Sequence, residues 1–256
     1  MSPSLLAEFC GRLACGLACM MAFTSTRAVG VQFFRTMMFT VLGLDVLAIL
    51  VGPGLGHATG ILLLICSVTA FGGSVAWTLG RVGAGWSLAV LLMLLSCAAL
   101  VWPRDAVDRA GGVSIAVAAV SLVSALLLGS IVAAMLLGHS YLIAPAMSIE
   151  PLQRLVVWFG ASIAARAVLA GVVLAVFWGG ELADSRRAGG GFWWTMLAAR
   201  WLIGFVAPAV LAWMTWQTTR IPATQSATGI LYAAVILIFF GELVGQLLAT
   251  NAGLAL

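Results

Sequence analysis

Long apolar stretches recur along the chain, separated by short segments rich in Gly, Pro and Arg. A membrane-spanning helix needs about 20 mostly apolar residues, because each residue adds only about 1.5 Å along the helix axis. Since a helix satisfies its own backbone hydrogen bonds in lipid, the pattern predicts an all-α, polytopic transmembrane bundle. Eight stretches have the required length, at residues 4–24, 31–52, 58–80, 86–103, 113–143, 155–178, 192–218 and 229–250.

The composition agrees with this pattern. Apolar residues make up 63% of the chain, charged residues 8%, and the mean hydropathy is +1.17, outside the range of soluble globular domains. The connecting segments are too short for a soluble domain, so residues 1–256 are expected to form a single integral membrane domain, located in the inner membrane of a bacterium. A net charge of +4, with no lysine, is too sparse for binding nucleic acid, and it leaves no Schiff-base lysine for retinal.

Few ionisable side chains fall inside the predicted spans. Each costs about 2.5–3.5 kcal/mol on insertion scales and normally pairs inside the bundle. An even number of spans puts both chain ends on one side, called side A, and counting places Arg200 and Glu242 both about 12 Å below it. Gln246 and Thr195 are placed to extend a buried network. Its charged members balance, three acids against three arginines: Glu8, Arg12, Asp45, Arg166, Arg200 and Glu242.

Two interpretations of these buried charges stay open. They are either structural ion pairs that fix the register of the helices, or the lining of a proton-conducting or ligand-binding interior. Glu8 and Arg12 are spaced i, i+4, so they share a helix face and pair under either interpretation.

A polar segment interrupts the apolar pattern on the opposite side, side B. It reads LGHSYLIAPAMSIEPLQRL over residues 137–155, and its prolines are expected to break the helix before the sixth span resumes. Its polar side chains suit the head group of a quinone or lipid whose tail stays in the bilayer. The alternative is that the aromatic and imidazole groups only anchor a helix end. We expect four residues to converge on the head group, namely His139, Tyr141, Glu150 and Arg154.

Haem, iron–sulfur clusters and other metals are not expected. The two histidines, His57 and His139, fall on opposite sides about 30 Å apart, which excludes a bis-histidine haem, while a His/Met pair stays open. The first three cysteines do not have the spacing of a zinc or iron–sulfur site. All five lie in apolar runs and are interpreted as small packing residues: Cys10, Cys15, Cys19, Cys66 and Cys97.

The last span carries the run Gly241-Glu242-Leu243-Val244-Gly245 within ILIFFGELVGQLLATNAG. With eight predicted helices and no haem-ligand pair, the chain resembles the haem-free membrane anchors of the polysulfide reductase and dimethyl sulfoxide reductase type, whose final helix often has a Gly-Glu-Leu-x-Gly-like run. Gln246 stands where an arginine is common in that family. The resemblance implies an anchor that binds a quinol and passes its electrons to an iron–sulfur subunit.

The expected function is therefore that of a membrane subunit in a multi-subunit electron-transfer complex, respiratory or photosynthetic. The subunit would bind a quinone or lipid, lack a redox metal of its own, and be a non-catalytic or quinone-binding part of an oxidoreductase. Membrane lipids and the other subunits are its expected partners. Two alternatives stay open: a transporter or channel that uses the buried charges, and a structural accessory subunit of a larger membrane complex.

Overall fold

The computed structural model describes residues 3–52, 57–101, 113–143, 147–176, 181–221 and 223–252. Within these ranges every regular element is helical, as predicted. The helices are α1 (Pro3–Phe23), α2 (Val31–Val51), α3 (His57–Thr78), α4 (Val82–Val101), α5 (Val113–Ile143), α6 (Glu150–Val176), α7 (Glu181–Trp201), α8 (Ala207–Arg220) and α9 (Thr224–Ala252). A π-helical turn, Leu202–Val206, joins α7 to α8.

Eight segments in the described ranges are long and apolar enough to cross a membrane, which confirms the predicted number. The seventh runs from Gly189 to Arg220 and combines the end of α7, the π-helical turn and α8. The backbone of Gly190 is non-helical, with φ 52° and ψ −134°. That conformation is open to glycine at little cost, and it separates the first residues of α7 from the span.

The sixth span begins earlier than the sequence predicts. Pro151 was expected to break the helix ahead of residue 155, but α6 already begins at Glu150. Pro151 occupies the first turn, where its missing N–H would have no helical acceptor and its fixed φ suits the helix. The other proline of this segment, Pro145, lies outside the described residues.

Two helices form the centre of the bundle. In both α1 and α5, 72% of the most hydrophobic window is buried, against 28 to 44% in the other six spans. Gly16 of α1 packs directly on Ala125 and Gly129 of α5, and a Cβ atom at Gly16 would collide with the α5 backbone. Small residues let two membrane helices approach in this way. The exposed side chains of the outer helices are largely apolar, as expected of a surface that faces lipid.

The later helices surround α5 and its polar neighbours. α5 packs against α1, α6 and α9, and α9 also packs against α7, the π-helical turn and α8. Since α6 contacts both α5 and α8, side chains from α5, α6, α7 and α9 can meet in one interior space. Of the six buried charges predicted from the sequence, three lie on these helices, two lie on α1, and Asp45 lies on α2.

Candidate functional sites: a buried charge network and an interfacial groove

Glu242 lies within the bundle, in the half of α9 nearer side A. Its side chain is 1% exposed, and it directly follows Gly241. That glycine packs against Gly204 of the π-helical turn so closely that a Cβ atom on Gly241 would collide with the Gly204 Cα. Because neither residue has a side chain, the two backbones approach each other. The approach places Glu242 beside Arg200.

Two arginines and a serine bind the Glu242 carboxylate. Arg200 Nη2 donates a hydrogen bond to Glu242 Oε1 over 2.8 Å, and Arg166 Nε lies 3.4 Å from the same oxygen. Ser124 Oγ, on α5, donates to the other oxygen, Oε2. All of these side chains are buried, and charge-assisted bonds are strong where water is excluded. One carboxylate thereby links four helices.

The contacts continue along α9 toward α1. In the amide orientation that satisfies both of its groups, Gln246 donates to the Leu5 carbonyl and accepts from Arg12 Nη1, each over 3.2 Å. Arg12 Nη2 lies 3.6 Å from Glu8 Oε2, one turn earlier on α1. We call these side chains the Glu242 network: Glu8, Arg12, Ser124, Arg166, Arg200, Glu242 and Gln246.

Asp45 lies outside the Glu242 network, although it was predicted to belong to it. Its side chain is 1% exposed and lies close enough to Cys10 and Cys66 to interact electrostatically with their thiols. Its Oδ2 atom is buried without a hydrogen-bond partner among the described residues. Thr195 is also apart, because its hydroxyl donates to the Gly191 carbonyl on an exposed face. The structure thus brings together five of the six predicted charges.

Arg200 lies two residues before the π-helical turn, Leu202–Val206. Its guanidinium carbon lies 4.3 Å from the centre of the Phe205 ring, a cation–π distance. Its Nε and Nη1 atoms are buried and make no hydrogen bond to a described residue. Short π-helical turns inside helices are frequent at functional sites. Arg200 therefore offers donors beyond the one that Glu242 uses, and these suit an anionic or carbonyl oxygen.

The four residues predicted to share a head-group site lie in three places. His139 is exposed, and its Nδ1 atom is 3.4 Å from the hydroxyl of Tyr232 on α9. Tyr141 is buried, and its hydroxyl donates to the Ser148 carbonyl, which ties the segment before α6 back to α5. Glu150 and Arg154 are exposed together at the start of α6, 3.9 Å apart. The predicted convergence of all four on one head group is therefore not seen.

Glu150 and Arg154 instead line a groove of about 630 Å³ at side B. Phe23, which ends α1, stacks on Trp158 of α6 with ring centres 5.7 Å apart. Trp216 of α8 completes the aromatic wall, and the Arg220 guanidinium carbon lies 3.7 Å from its ring centre. We call this space the interfacial groove, lined by Phe23, Glu150, Gln153, Arg154, Trp158, Trp216 and their neighbours.

A second, apolar groove of about 300 Å³ runs between α6 and α8. It shares Val157 and Trp216 with the interfacial groove. Its deepest α6 residue, Ile163, lies about 20 Å along the helix from Glu150. The two grooves are therefore neighbours along α6, one with charged side chains at the interface and the other with apolar side chains toward the bilayer centre. The remaining lining of the apolar groove is Val156, Gly160, Ala209, Ala212 and Trp213.

The three aromatic residues of the groove, Phe23, Trp158 and Trp216, were not predicted as site residues. Trp158 follows Glu150 and Arg154 at i+8 and i+4, so all three share a helix face, and this spacing was a usable signal. Trp216 had no such signal, because only the packing of α8 on α6 brings it to the groove. Gln153, whose Nε2 donates to the Thr219 carbonyl over 3.1 Å, helps to hold these two helices together.

Three cysteines that were interpreted as separate packing residues meet in the bundle. Cys97 Sγ on α4 lies 3.6 Å from Cys15 Sγ and 4.0 Å from Cys19 Sγ. All three sulfur atoms lie within 4.8 Å of one another. We call Cys15, Cys19 and Cys97 the cysteine cluster. The spacing within α1 gave no sign of it, because the third thiol comes from a helix distant in the sequence.

Comparisons with protein-family models, curated proteins and solved structures found no match for this chain. The resemblance to respiratory membrane anchors therefore stays a prediction, based on the number of helices and the Gly241–Gly245 run.

Proposed function

We propose that the protein binds a quinone in the interfacial groove and the neighbouring apolar groove, as a membrane subunit of an electron-transfer complex. The observation that carries this proposal is that the two grooves lie side by side, with Val157 and Trp216 in the walls of both. A quinone has a polar ring and a long apolar tail, so it needs both environments at neighbouring depths. A lipid shares this chemistry, and the experiment below separates the two.

The lining residues have distinct parts in this proposal. Arg154 can donate a hydrogen bond to a ring carbonyl, and Glu150 can accept one from the hydroxyl of the reduced ring. Phe23, Trp158 and Trp216 offer flat aromatic faces to the ring. The tail then lies along α6 and α8 as far as Ile163. His139 and Tyr141 have no direct contact with the ligand in this arrangement.

Electron transfer itself is assigned to other subunits, which would hold the redox centres. In support, the interfacial groove lies at the side B end of the helices, where a peripheral subunit could approach a bound head group. Isolation in a mild detergent tests this part of the proposal. We expect subunits with haem or iron–sulfur clusters to co-purify, and a chain that is isolated alone after gentle extraction would contradict it.

Quinone binding can be measured by the quenching of tryptophan fluorescence, since Trp158 and Trp216 line the site. The purified protein in lipid nanodiscs is titrated with a short-chain ubiquinone analogue. We expect Arg154→Ala to weaken binding at least about tenfold, the effect of losing one hydrogen bond to a charged group. Arg81→Ala is the matched control, because Arg81 is an exposed arginine on the same side but outside the groove. Trp158→Leu should lower the maximal quenching.

Two outcomes would count against this assignment. Equal affinity in the wild type, Arg154→Ala and Arg81→Ala would show that the groove does not hold the quinone. Mass spectrometry of the purified protein gives the other outcome. If one phospholipid species co-purifies, is lost in Arg154→Ala, and is not displaced by the quinone analogue, the groove binds a lipid instead.

A transporter is the second candidate, and Arg200 favours it. Arg200 has buried donors that no described residue accepts from, and the π-helical turn beside it interrupts the seventh span. Transporters place substrate sites at interrupted helices near the centre of the membrane. The test is the flux of small organic anions into liposomes that contain the protein. Flux that is abolished by Arg200→Gln would favour this candidate over quinone binding.

A further inference from the structure

The cysteine cluster is built from two helices that are not neighbours in the sequence. Cys15 and Cys19 are spaced i, i+4 on α1 and so point to one face, and Cys97 reaches them from α4. Cys15 is 0% and Cys19 7% exposed, whereas Cys97 is half-buried. The sulfur atoms of Cys15 and Cys19 are therefore enclosed by the bundle, and a metal ion can reach them from the side of Cys97.

The sulfur positions match a three-coordinate metal. A metal ion in the plane of three cysteine sulfur atoms, about 2.3 Å from each, requires these atoms to be about 4.0 Å apart. The two distances to Cys97 are 3.6 and 4.0 Å, and the third does not exceed 4.8 Å. A small movement of the side chains closes this triangle around one ion, without a change in the helix positions.

The number and kind of ligands select among metals. Zinc in structural sites takes four ligands, and iron–sulfur clusters are held by four cysteines or by a mixed set of four ligands. Among the described residues the cluster offers three donors, all of them sulfur. Soft thiolate ligands select Cu(I), which accepts three-coordinate geometry. The apolar surroundings of the cluster favour a complex without net charge, which a monovalent ion reaches with a single thiolate among its three sulfur ligands.

We propose that Cys15, Cys19 and Cys97 bind one Cu(I) ion. One proton leaves for each thiol that binds as a thiolate, whereas a thiol that keeps its proton binds the ion through a sulfur lone pair. A complex of one thiolate and two thiols with Cu⁺ has no net charge and releases one proton. The copper stays in the cuprous state throughout, so that no oxidant or reductant is required. The site joins α1 to α4 and does not depend on the quinone proposal.

Copper binding can be measured directly on the whole protein. The chain is purified in detergent under reducing, anaerobic conditions, loaded with Cu(I), and titrated with a cuprous chelator. We expect one copper per chain in the wild type, and an affinity at least about tenfold lower in Cys97→Ser, given that even second-shell changes cost 10- to 100-fold. Cys10→Ser is the control, because Cys10 is buried on the same helix but outside the cluster.

X-ray absorption at the copper edge provides the second measurement. We expect three sulfur neighbours at about 2.3 Å in both the wild type and Cys10→Ser. Copper that binds equally well to Cys97→Ser, or that is lost equally from Cys10→Ser, would overturn the proposal. So would a wild type that retains no copper while its thiols are shown to be reduced, which would leave the cluster as a packing contact.

Discussion

Glu242 and Asp45 are both carboxyl groups that the bundle buries to the same extent, each with 1% of its side chain exposed. Their surroundings are opposite. The Glu242 carboxylate accepts hydrogen bonds from Arg200 and Ser124 and forms an ion pair with Arg166. Asp45 has a buried oxygen without a partner among the described residues. The two groups have different neighbours, since Glu242 contacts α5, α6 and α7, whereas Asp45 lies on α2 close to Cys10 and Cys66.

The difference shows that burial alone does not assign a role to a charged residue in a membrane. A buried carboxylate that is bound by two arginines is expensive to disturb, because removing either partner strands a charge in low dielectric. A carboxyl group among apolar side chains has no such partner to lose. The Glu242 network therefore holds helices together, and Asp45 is available for another role, for example a change of protonation.

The pair Glu242→Gln and Asp45→Asn tests this difference most directly. Both changes replace an ionisable group by a neutral one and keep the shape of the side chain. We expect Glu242→Gln to lower the free energy of unfolding by about 3 to 5 kcal/mol, because two buried guanidinium groups lose their common counter-charge. Asp45→Asn should change it by less than about 1 kcal/mol, since no ion pair is lost. Titration with SDS in mixed micelles measures both, and equal losses would contradict the comparison.

Removal of one arginine should have the next largest effect. We expect Arg200→Leu to cost about 3 kcal/mol, because Glu242 stays buried with one of its two positive partners gone. Arg220→Leu is the control, since Arg220 is exposed and contacts the Trp216 ring. It should cost at most about 1 kcal/mol. If the expression level and the SDS midpoint of the two variants coincide, Arg200 does not have the structural importance that its contacts indicate.

The hydroxyl of Ser124 should contribute less than either charge. Ser124→Ala removes one donor to the Glu242 carboxylate and leaves both arginines in place. We expect a loss of about 1.5 to 2 kcal/mol, typical of a hydrogen bond to a charged group. Ser130→Ala on the same helix is the control, because the Ser130 hydroxyl donates only to the backbone of its own helix, at Leu127. A loss in Ser130→Ala as large as in Ser124→Ala would remove Ser124 from the network.

The fold was predictable from the sequence because the bilayer sets one simple condition, an apolar length of about 20 residues. The start of α6 was not predictable in the same way. A proline can either end a helix or occupy its first turn, and only the structure shows that Pro151 occupies the first turn. The pairing of Arg200 with Glu242 followed from their depths on consecutive spans. The depth of a residue in the membrane does not tell toward which neighbouring helix its side chain points. For this reason Asp45 was wrongly grouped with Arg200 and Glu242.

The sites were less predictable because they depend on neighbours that are distant in the chain. The i, i+4, i+8 spacing of Glu150, Arg154 and Trp158 is a signal for one face, but it contains no information that Trp216 lies opposite. Likewise Cys15 and Cys19, spaced i, i+4, share a helix face, but nothing in the sequence placed Cys97 beside it. Apolar spans give no amphipathic signal for the faces that pack together, so that helix neighbours have to come from the structure.

The smallest effect expected in this series belongs to the neutral end of the Glu242 network. Gln246→Leu removes an acceptor for Arg12 and a donor to the Leu5 carbonyl, and we expect it to cost about 1 kcal/mol in the SDS titration. Gln153→Leu is the comparison, because it also removes an amide hydrogen bond, to Thr219. Gln153 lies at the interface, where water can replace the lost partner, and so its loss should be smaller. A larger loss in Gln153→Leu would contradict this expectation. It would show that the α6–α8 contact beside the groove stabilises the bundle more than the hydrogen bonds of Gln246 do.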